Sequence, residues 1–108
     1  MPPEGSDCLF CALYRDGDHV HAVPGFVAIR DINPQADAHL LVIPERHIDT
    51  FRDIGEFTPD ESKRMLEFVA DTARKAGLED YRVQVHVGPS AGQTVFHLHW
   101  HIMGGTPQ

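Results

Sequence analysis

This chain of 108 residues has few aromatic side chains, few cations and no long apolar run. Lysine and arginine number 9 against 16 aspartates and glutamates, which gives a net charge of −7. A surface of this sign repels phosphate backbones and anionic lipids. No apolar stretch reaches the roughly 20 residues that a membrane-spanning helix needs. We therefore expect no nucleic-acid partner and no membrane partner.

Cysteine is also scarce, and the two that are present form the pair Cys8-x-x-Cys11. The first residues lack the basic start and apolar core of a secretory signal peptide, so the expected location is the cytoplasm. Reducing conditions there disfavour a structural disulfide. Such a pair is typical of half a zinc site or of a redox pair, and a zinc site needs two further ligands.

A long helix is the clearest local prediction. Thr58 matches an N-cap, Pro59 the first helical position and Glu61 its partner in a capping box. Gly77 is the expected stop. Apolar residues recur at helical spacing between these signals, and they predict the buried face: Met65, Leu66, Val69, Ala73 and Ala76.

The remaining pattern predicts a single α+β domain over residues 1–108, with residues 1–7 as a loose tail. Residues 8–14 are predicted as a short N-terminal helix. Strands are predicted over residues 19–23, 26–31 and 39–43, and alternating side chains predict two more, over residues 81–87 and 95–103. We expect a mainly antiparallel five-stranded sheet with the long helix on one face.

Three histidines in the last predicted strand are the most informative residues of the chain. His97, His99 and His101 alternate along it, so a regular strand would place them on one face, roughly 6.6 Å apart in succession. The opposite face would be an apolar stripe of Phe96, Leu98, Trp100 and Ile102. Three imidazoles fill a core poorly, because each ring brings a polar nitrogen that needs a partner.

Three interpretations of these histidines are open. One ring attacks phosphorus while its neighbours position it, or the rings bind a catalytic zinc, or they form a hydrated face without chemistry. The preceding Gly92-Gln93-Thr94 offers backbone N–H groups, an amide and a hydroxyl that can hold a phosphate. No lysine or arginine follows Arg82. One phosphoryl group held by neutral donors fits this composition better than a long polyphosphate with magnesium.

The run from His97 to Met103 resembles the His-φ-His-φ-His-φ-φ signature of the histidine triad (HIT) superfamily. Residues 31–47 resemble an upstream block of that family, and residues 91–96 resemble its lead-in to the signature. The spacing is closest to the small histidine-triad nucleotide-binding proteins of the Hint branch. The resemblance therefore implies the HIT-like fold and a purine nucleotide or nucleotide conjugate as the bound partner.

The resemblance also implies roles for three histidines. His99 would attack the α-phosphorus of the nucleotide conjugate and form a nucleotidyl-histidine that water then cleaves. His101 would contact the phosphate or the leaving group, and His39 would complete a relay to the strand. An acceptor must fix the second ring nitrogen of His99, and the sequence does not identify it.

The implied activity is that of a phosphoramidase-like hydrolase. Three alternatives stay open: a dinucleoside polyphosphate hydrolase, a nucleotidylyltransferase of the same superfamily, and a nucleotide-binding module with little turnover.

Substrate-binding residues are implied in the same way. Asp31 would bind the ribose hydroxyls, although an aspartate before Asn33-Pro34 is equally suited to forming a turn. His86 stands where the family commonly has asparagine, and it could donate a proton to a leaving group. Gly92, Gln93 and Thr94 match the phosphate loop. The apolar wall around the base would comprise residues that could equally be ordinary core: Leu9, Phe10, Leu13, Ile29 and Ile32.

Related bacterial proteins combine a Cys-x-x-Cys pair with two histidines, and the matching positions here are His47 and His97. The resemblance thus implies a closed structural zinc site of Cys8, Cys11, His47 and His97, the alternative being two reduced cysteines without a metal. It also implies a homodimer, with helix and strand edges forming the interface.

Overall fold

A computed structural model of the chain describes residues 8–105, so the predicted tail at residues 1–7 lies outside them. The helices are α1 (Leu9–Asp16) and α2 (Pro59–Lys75), and short 3-10 turns cover Phe51–Glu56 and Pro89–Ala91. The strands are β1 (His21–Val23), β2 (Phe26–Arg30), β3 (Ala38–Pro44), β4 (Tyr81–Gln84) and β5 (Trp100–Gly104).

Helix α2 begins where the capping box predicts it. The Thr58 hydroxyl accepts from the Glu61 N–H at 3.0 Å, and the Glu61 carboxylate accepts from the Thr58 N–H at 3.0 Å. Two N–H groups of the first turn are thereby satisfied, and Pro59 has none to satisfy. Gly77 follows the last turn with φ of +78°, a conformation that glycine adopts without strain.

The buried face of α2 differs in part from the predicted one. Leu66 is 53% exposed and Ala76 is also exposed, so the prediction was wrong at these two positions. Leu66 lies one residue, or about 100°, around the helix from Met65, which is buried. The residues that pack on the sheet follow spacings of three and four along the chain: Met65, Phe68, Val69, Thr72 and Ala73.

The strands form one antiparallel sheet in the order β1-β2-β3-β5-β4, which confirms the predicted α+β fold of five antiparallel strands. One face packs against α2 through the main apolar cluster, which includes Phe26, Val42 and Ile102. The other face carries Val27, Ile29, Leu41 and Ile43, and α1 covers it with Phe10. Both faces of β2 and β3 are therefore buried.

The predicted last strand is wrong over its first half. Strand β5 begins only at Trp100, paired with Val42, and His97 and His99 precede it. The Leu98 N–H donates instead to the Ile48 carbonyl at 2.8 Å, in the loop after β3. Three of the four predicted stripe residues are buried, but Phe96 is 41% exposed. Strand β4 likewise stops at Gln84 rather than at residue 87.

Strand β4 lies at the edge of the sheet, and its side chains Tyr81 and Val83 are 39% and 42% exposed. An exposed edge with apolar side chains is the kind of surface that pairs with another copy, so the homodimer stays a prediction. Within residues 8–105 neither helix is both long and apolar enough to cross a bilayer.

Candidate functional site

The ring of His99 is buried, and the backbone fixes its orientation. Its Nδ1–H donates to the His97 carbonyl at 2.8 Å. Because a neutral imidazole carries one proton, Nε2 retains its lone pair. Phe10 packs edge-on against the ring, with 4.7 Å between centroids. The His97 carbonyl is thus the acceptor that the sequence left unidentified, and it leaves Nε2 as the ring nitrogen with a free lone pair.

A hydrogen-bonded chain fixes the protons of His39 and His101. The Gln35 N–H donates to Nδ1 of His39 at 3.0 Å, so the proton of neutral His39 is on Nε2. This Nε2–H reaches Nδ1 of His101 at 3.0 Å and Oδ2 of Asp31 at 3.3 Å. Because Nδ1 of His101 accepts, the proton of His101 must be on its Nε2.

The Nε2–H of His101 is buried and has no hydrogen-bond partner among residues 8–105. An unsatisfied buried donor costs about 1–3 kcal/mol, which makes it an unusual feature in a folded protein. The His101 ring lies 5.1 Å from that of His99, measured between centroids. A free lone pair and an unpaired donor therefore stand side by side, and an anion bound between them would satisfy the donor.

Both of these rings are held in the neutral state. Burial lowers the pKa of His99 below its usual value. Burial also lowers the pKa of His101 to about 4, with further contributions from the neighbouring His99, His86 and His39. At neutral pH the lone pair of His99 is therefore available, and His101 donates as an uncharged imidazole.

His86 stacks on His101, with ring centroids 4.5 Å apart and planes inclined by 26°. Its Nε2 lies 3.1 Å from the side-chain amide of Gln84. That amide can present either its NH₂ or its carbonyl, so it can pair with His86 in either protonation state. Gly92 makes room for the ring: its φ is +101°, and a Cβ there would lie 3.4 Å from Nδ1 of His86.

Asp31 does form the turn that the sequence offered as one alternative, because its Oδ1 accepts from the Asn33 N–H at 2.8 Å. A carboxylate has about four acceptor positions, so its two internal donors leave room for sugar hydroxyls. The adjacent Ile32 is 91% exposed. Asp31 therefore contacts His39 of the hydrogen-bonded chain and is followed by Ile32, an apolar side chain at the surface.

The residues predicted to surround the base fall into two groups. Leu9 and Ile32 are exposed, at 55% and 91%. Phe10 and Ile29 are buried in the packing between α1 and the sheet, and Leu13 packs against the same cluster. The first group presents most of its surface to solvent, whereas the other three pack in or against this cluster, and contact of all five residues with a base stays a prediction.

The predicted phosphate loop differs from expectation at Gln93. Its Nε2 donates to the carbonyls of Asp49 and Val95 at 2.7 and 3.1 Å, and its Oε1 accepts from the Gly88 N–H. The backbone N–H groups of Gly92 and Gln93 are also bonded within the loop. The amide is therefore structural and has no N–H left for a phosphate. Thr94 remains exposed beside it.

Cys8, Cys11, His47 and His97 come together at the start of α1, with their ligand atoms all within 4.8 Å of one another. Nδ1 of His97 lies 3.2 Å from Sγ of Cys8 and 3.4 Å from Sγ of Cys11. Nδ1 of His47 lies 3.1 Å from Sγ of Cys11. Tetrahedral zinc with bonds of about 2.0–2.3 Å places its ligand atoms about 3.3–3.8 Å apart, close to these values.

The outer nitrogens of the two histidines are already bonded to acceptors, as zinc ligands require. Nε2–H of His97 donates to the Pro44 carbonyl at 2.8 Å, and Nε2–H of His47 to the Asp49 carboxylate at 3.1 Å. Each Nδ1 therefore presents a lone pair to the cluster. The residues present fit a structural zinc ion.

The three histidines of the signature do not converge on one metal ion. His97 faces the cysteines, while Nδ1 of His99 is occupied by a carbonyl. Asp31, His39 and His101 also lie close enough together for a metal. However, the His39 nitrogen that would bind it carries the proton of the hydrogen-bonded chain. The interpretation as a catalytic three-histidine zinc site therefore has no geometric support.

The sequence as a whole is similar to those of known proteins. A family model for the HIT domain matches residues 15–108. A HIT-like protein of Chlamydia pneumoniae is 43% identical over 96 residues, which cover 85% of this chain and 84% of that protein. A purine nucleoside phosphoramidase of Escherichia coli strain K12 is 37% identical over 82 residues, which cover 74% of this chain and 69% of that enzyme.

Solved structures share the fold. A HIT family hydrolase from Legionella pneumophila superposes with a TM-score of 0.79 at 36% identity, covering 91% of this chain and 92% of that one. A zinc-bound histidine triad family protein from Mycobacterium smegmatis superposes with a TM-score of 0.75 at 28% identity, covering 93% and 76%. With the family model extending over most of its length, this chain belongs to the HIT domain family.

Proposed function

We propose that this protein is a hydrolase that cleaves purine nucleotide phosphoramidates at the α-phosphate through a nucleotidyl-His99 intermediate. The supporting observation is the free Nε2 of His99 beside the unpaired, buried Nε2–H of His101. Attack on an anionic phosphorus needs a lone pair and a donor for the phosphoryl oxygen, and these two atoms supply both. The phosphoramidase among its relatives supports the same reaction class.

In the first step, Nε2 of His99 forms a bond to phosphorus and the bond from phosphorus to the leaving nitrogen breaks. The leaving nitrogen keeps the electron pair and takes up a proton. The ring of His99 becomes positive, and its Nδ1–H stays bonded to the His97 carbonyl, which stabilises that charge. In the second step, water attacks phosphorus and gives up a proton to the solvent, the bond from phosphorus to Nε2 breaks, and neutral His99 and the free nucleotide are released.

His86 is placed to supply the proton that the leaving nitrogen needs. It stacks on His101, and the Gln84 amide can pair with it before and after proton transfer. A general acid of this kind typically contributes 10²- to 10⁴-fold to a rate. On the substrate side, Asp31 would accept from the ribose hydroxyls, and Ile32 and Leu9 would contact the base.

We also propose that zinc occupies the cluster of Cys8, Cys11, His47 and His97. The ion would cross-link α1 to the loop after β3 and to the segment that carries His99, without taking part in the reaction. The zinc-bound histidine triad protein with the same fold supports this. The close spacing of the four ligand atoms supports it independently.

The first prediction concerns the intermediate. Wild-type protein mixed with adenosine 5′-phosphoramidate and quenched in acid should show the mass of one added nucleotidyl group. His99→Ala should show none, and its turnover should fall by about a thousandfold or more. His19→Asn, a change at a histidine that lines none of the cavities beside this site, should behave as wild type. Equal turnover by folded His99→Ala would contradict the proposal, and turnover without an adduct would indicate direct attack by water.

The second prediction concerns stability against pH. The pKa of His101 is about 4 in the folded chain and about 6.5 when unfolded, so between these values the unfolded chain binds about one more proton at this ring. The contribution of His101 to stability should be constant above pH 6.5 and lost as the pH falls toward 4. The free energy of unfolding, measured with urea from pH 4 to 7.5, should rise less steeply with pH in His101→Gln than in the wild type. The difference in slope should correspond to about one proton. Identical slopes would show that the ring is not held neutral.

The third prediction concerns His86. If its ring donates a proton to the leaving nitrogen, the turnover rate of the wild type should depend on pH in a way that His86→Asn does not reproduce. His86→Asn should lose that dependence and should be slower at low pH, because asparagine donates a hydrogen bond but no proton. Turnover measured from pH 5 to 9 tests this, and superimposable profiles would eliminate the role.

The fourth prediction concerns the metal. Protein purified without chelator should contain close to one zinc ion per chain by elemental analysis. Cys11→Ser should lose most of the zinc and melt at lower temperature, whereas His21→Asn should keep it. A zinc-free wild-type protein whose melting temperature does not change on addition of zinc would rule the site out.

A further inference from the structure

A second cavity, of about 450 Å³, lies on the face of the sheet opposite to the histidine site. We call it the back cavity, and its walls include His21, Arg30, Leu40, Thr72 and Lys75. Arg30 pairs with Leu40, which belongs to the cluster packed against α2, whereas His101 pairs with Leu41, which faces α1. The strands that line the back cavity are at the β1 end of the sheet, away from β4, the edge at which a second copy is expected.

Two cations line the back cavity, Arg30 at the end of β2 and Lys75 at the end of α2. Within residues 8–105 neither makes a hydrogen bond or an ion pair, whereas Arg46, Arg64 and Arg74 are each paired with a carboxylate. Positive charges are few in this chain of net charge −7. The back cavity therefore offers a ligand two cations that the described part of the protein leaves unpaired.

The hydroxyl of Thr72 is a further polar group without a partner. Thr72 is 1% exposed and precedes Lys75 by three residues, so both lie on the same flank of α2. Its Oγ1 is buried and makes no hydrogen bond among residues 8–105. Leaving such a group unpaired is unfavourable, and few folded proteins do so. A ligand oxygen in the back cavity would supply the missing partner.

The loop between β2 and β3 separates the back cavity from the histidine site. Pro34 and Asp37 line the back cavity, whereas Asn33 and Gln35 line the cavity beside the histidines. Ligands of the two cavities would therefore lie on different sides of this loop. A ligand of the back cavity would not occupy the place of the nucleotide.

The same loop contributes two carboxylates to the wall of the back cavity, those of Asp31 and Asp37. The Asp31 carboxylate is engaged by the Asn33 N–H at 2.8 Å and by His39 at 3.3 Å. The cations are on the opposite walls, formed by β2 and α2. An anion would therefore be held at the strand and helix side of the cavity.

We infer that the back cavity binds a phosphate dianion through Arg30 and Lys75. Phosphate carries close to two negative charges at neutral pH, and these match the two cations. Its three terminal oxygens can accept from the guanidinium, the ammonium group and the Thr72 hydroxyl together. A carboxylate would balance only one of the two cations. Binding involves no covalent step, and the inference does not depend on the proposed function.

A volume of about 450 Å³ is within the usual range for small-molecule sites. The phosphate could therefore be free or part of a small ester such as a sugar phosphate. Both sources present the same dianion to Arg30 and Lys75, and the experiment includes one probe for each.

The NMR signals of the histidine rings test the inference, because different histidines line the two sites. His21 lines the back cavity, and His99 and His101 form the histidine site. At about pH 7.5, where phosphate is mostly a dianion, inorganic phosphate and ribose 5-phosphate should each shift the His21 signals of the wild type to saturation. Uncharged ribose should not shift them. Comparison with His21→Asn identifies the His21 signals.

Arg30→Gln and Lys75→Gln should each raise the dissociation constant measured at His21 by roughly 10- to 100-fold, the range of a charge-assisted hydrogen bond. Arg30→Lys should keep part of the affinity, because it keeps the charge. Lys63→Gln, a change at an exposed lysine of the same helix, should bind as the wild type does. Unchanged His99 signals in the free variants would show that the fold is intact.

Two outcomes would overturn the inference. Shifts confined to His99 and His101 would show that phosphate binds only at the histidine site. A dissociation constant at His21 that is unchanged in the double variant Arg30→Gln/Lys75→Gln would show that other groups hold the anion.

The comparison of the two probes identifies the source of the phosphate. Tighter binding of ribose 5-phosphate would indicate an ester and equal binding would indicate free phosphate, and either result supports the inference. These measurements involve no turnover and no nucleotidyl adduct at His99. The inference and the proposed function can therefore fail independently.

Discussion

The site depends on His97, which has no exposed surface and holds three parts of the chain together. Its Nε2–H donates to the Pro44 carbonyl at the end of β3, and its Nδ1 faces the two cysteines at the start of α1. Its own carbonyl accepts the Nδ1–H of His99. One residue therefore fixes the position of α1, closes the candidate metal cluster and sets the tautomer of the proposed nucleophile.

The electrostatics of the site follow from the scarcity of cations in this chain. The donor beside His99 is the uncharged imidazole of His101, and burial keeps both rings neutral. Neutral donors hold a single phosphoryl group without the desolvation cost of a buried ion. The unpaired Nε2–H of His101 is the cost of this arrangement in the free protein, and a bound anion would remove it.

Local signals predicted the parts of the fold that local interactions determine. The capping box of Thr58 and Glu61 needs only residues three apart, and the nearly continuous apolar runs of β2 and β3 reflect burial of both faces of these strands. The prediction of the last strand failed over its first half because groups that are distant in the sequence bind its backbone and side chains. These groups are the carbonyls of Ile48 and Pro44, and the sequence does not reveal that they lie nearby. The metal ligands came from the resemblance to a family, because nothing in the spacing of His47 relates it to Cys11.

The places of two further residues, Arg82 and Gln93, could be identified only from the register of the sheet or the path of a loop. Arg82 was apparent only as the last cation in the sequence, and its place beside His101 follows from the pairing of Gln84 with that residue. Alternation within β4 does place Arg82 and Gln84 on one face, and this was the only indication in the sequence that the two residues share a surface. The Gln93 amide was predicted to bind phosphate, but its partners include a carbonyl 44 residues away. A side chain that can bind a ligand can equally hold a loop, and only the folded chain distinguishes the two.

The departure of the histidine segment from regular strand geometry explains how three alternating histidines come to have different roles. In a continued strand, His97, His99 and His101 would share one face and one environment. Because β5 begins only at Trp100, the backbone before it turns, and His97 faces the cysteines while its carbonyl faces the next ring. His101 remains in the sheet, where β3 supplies His39 as its partner. The same spacing thus yields a candidate metal ligand, a candidate nucleophile and a neutral donor.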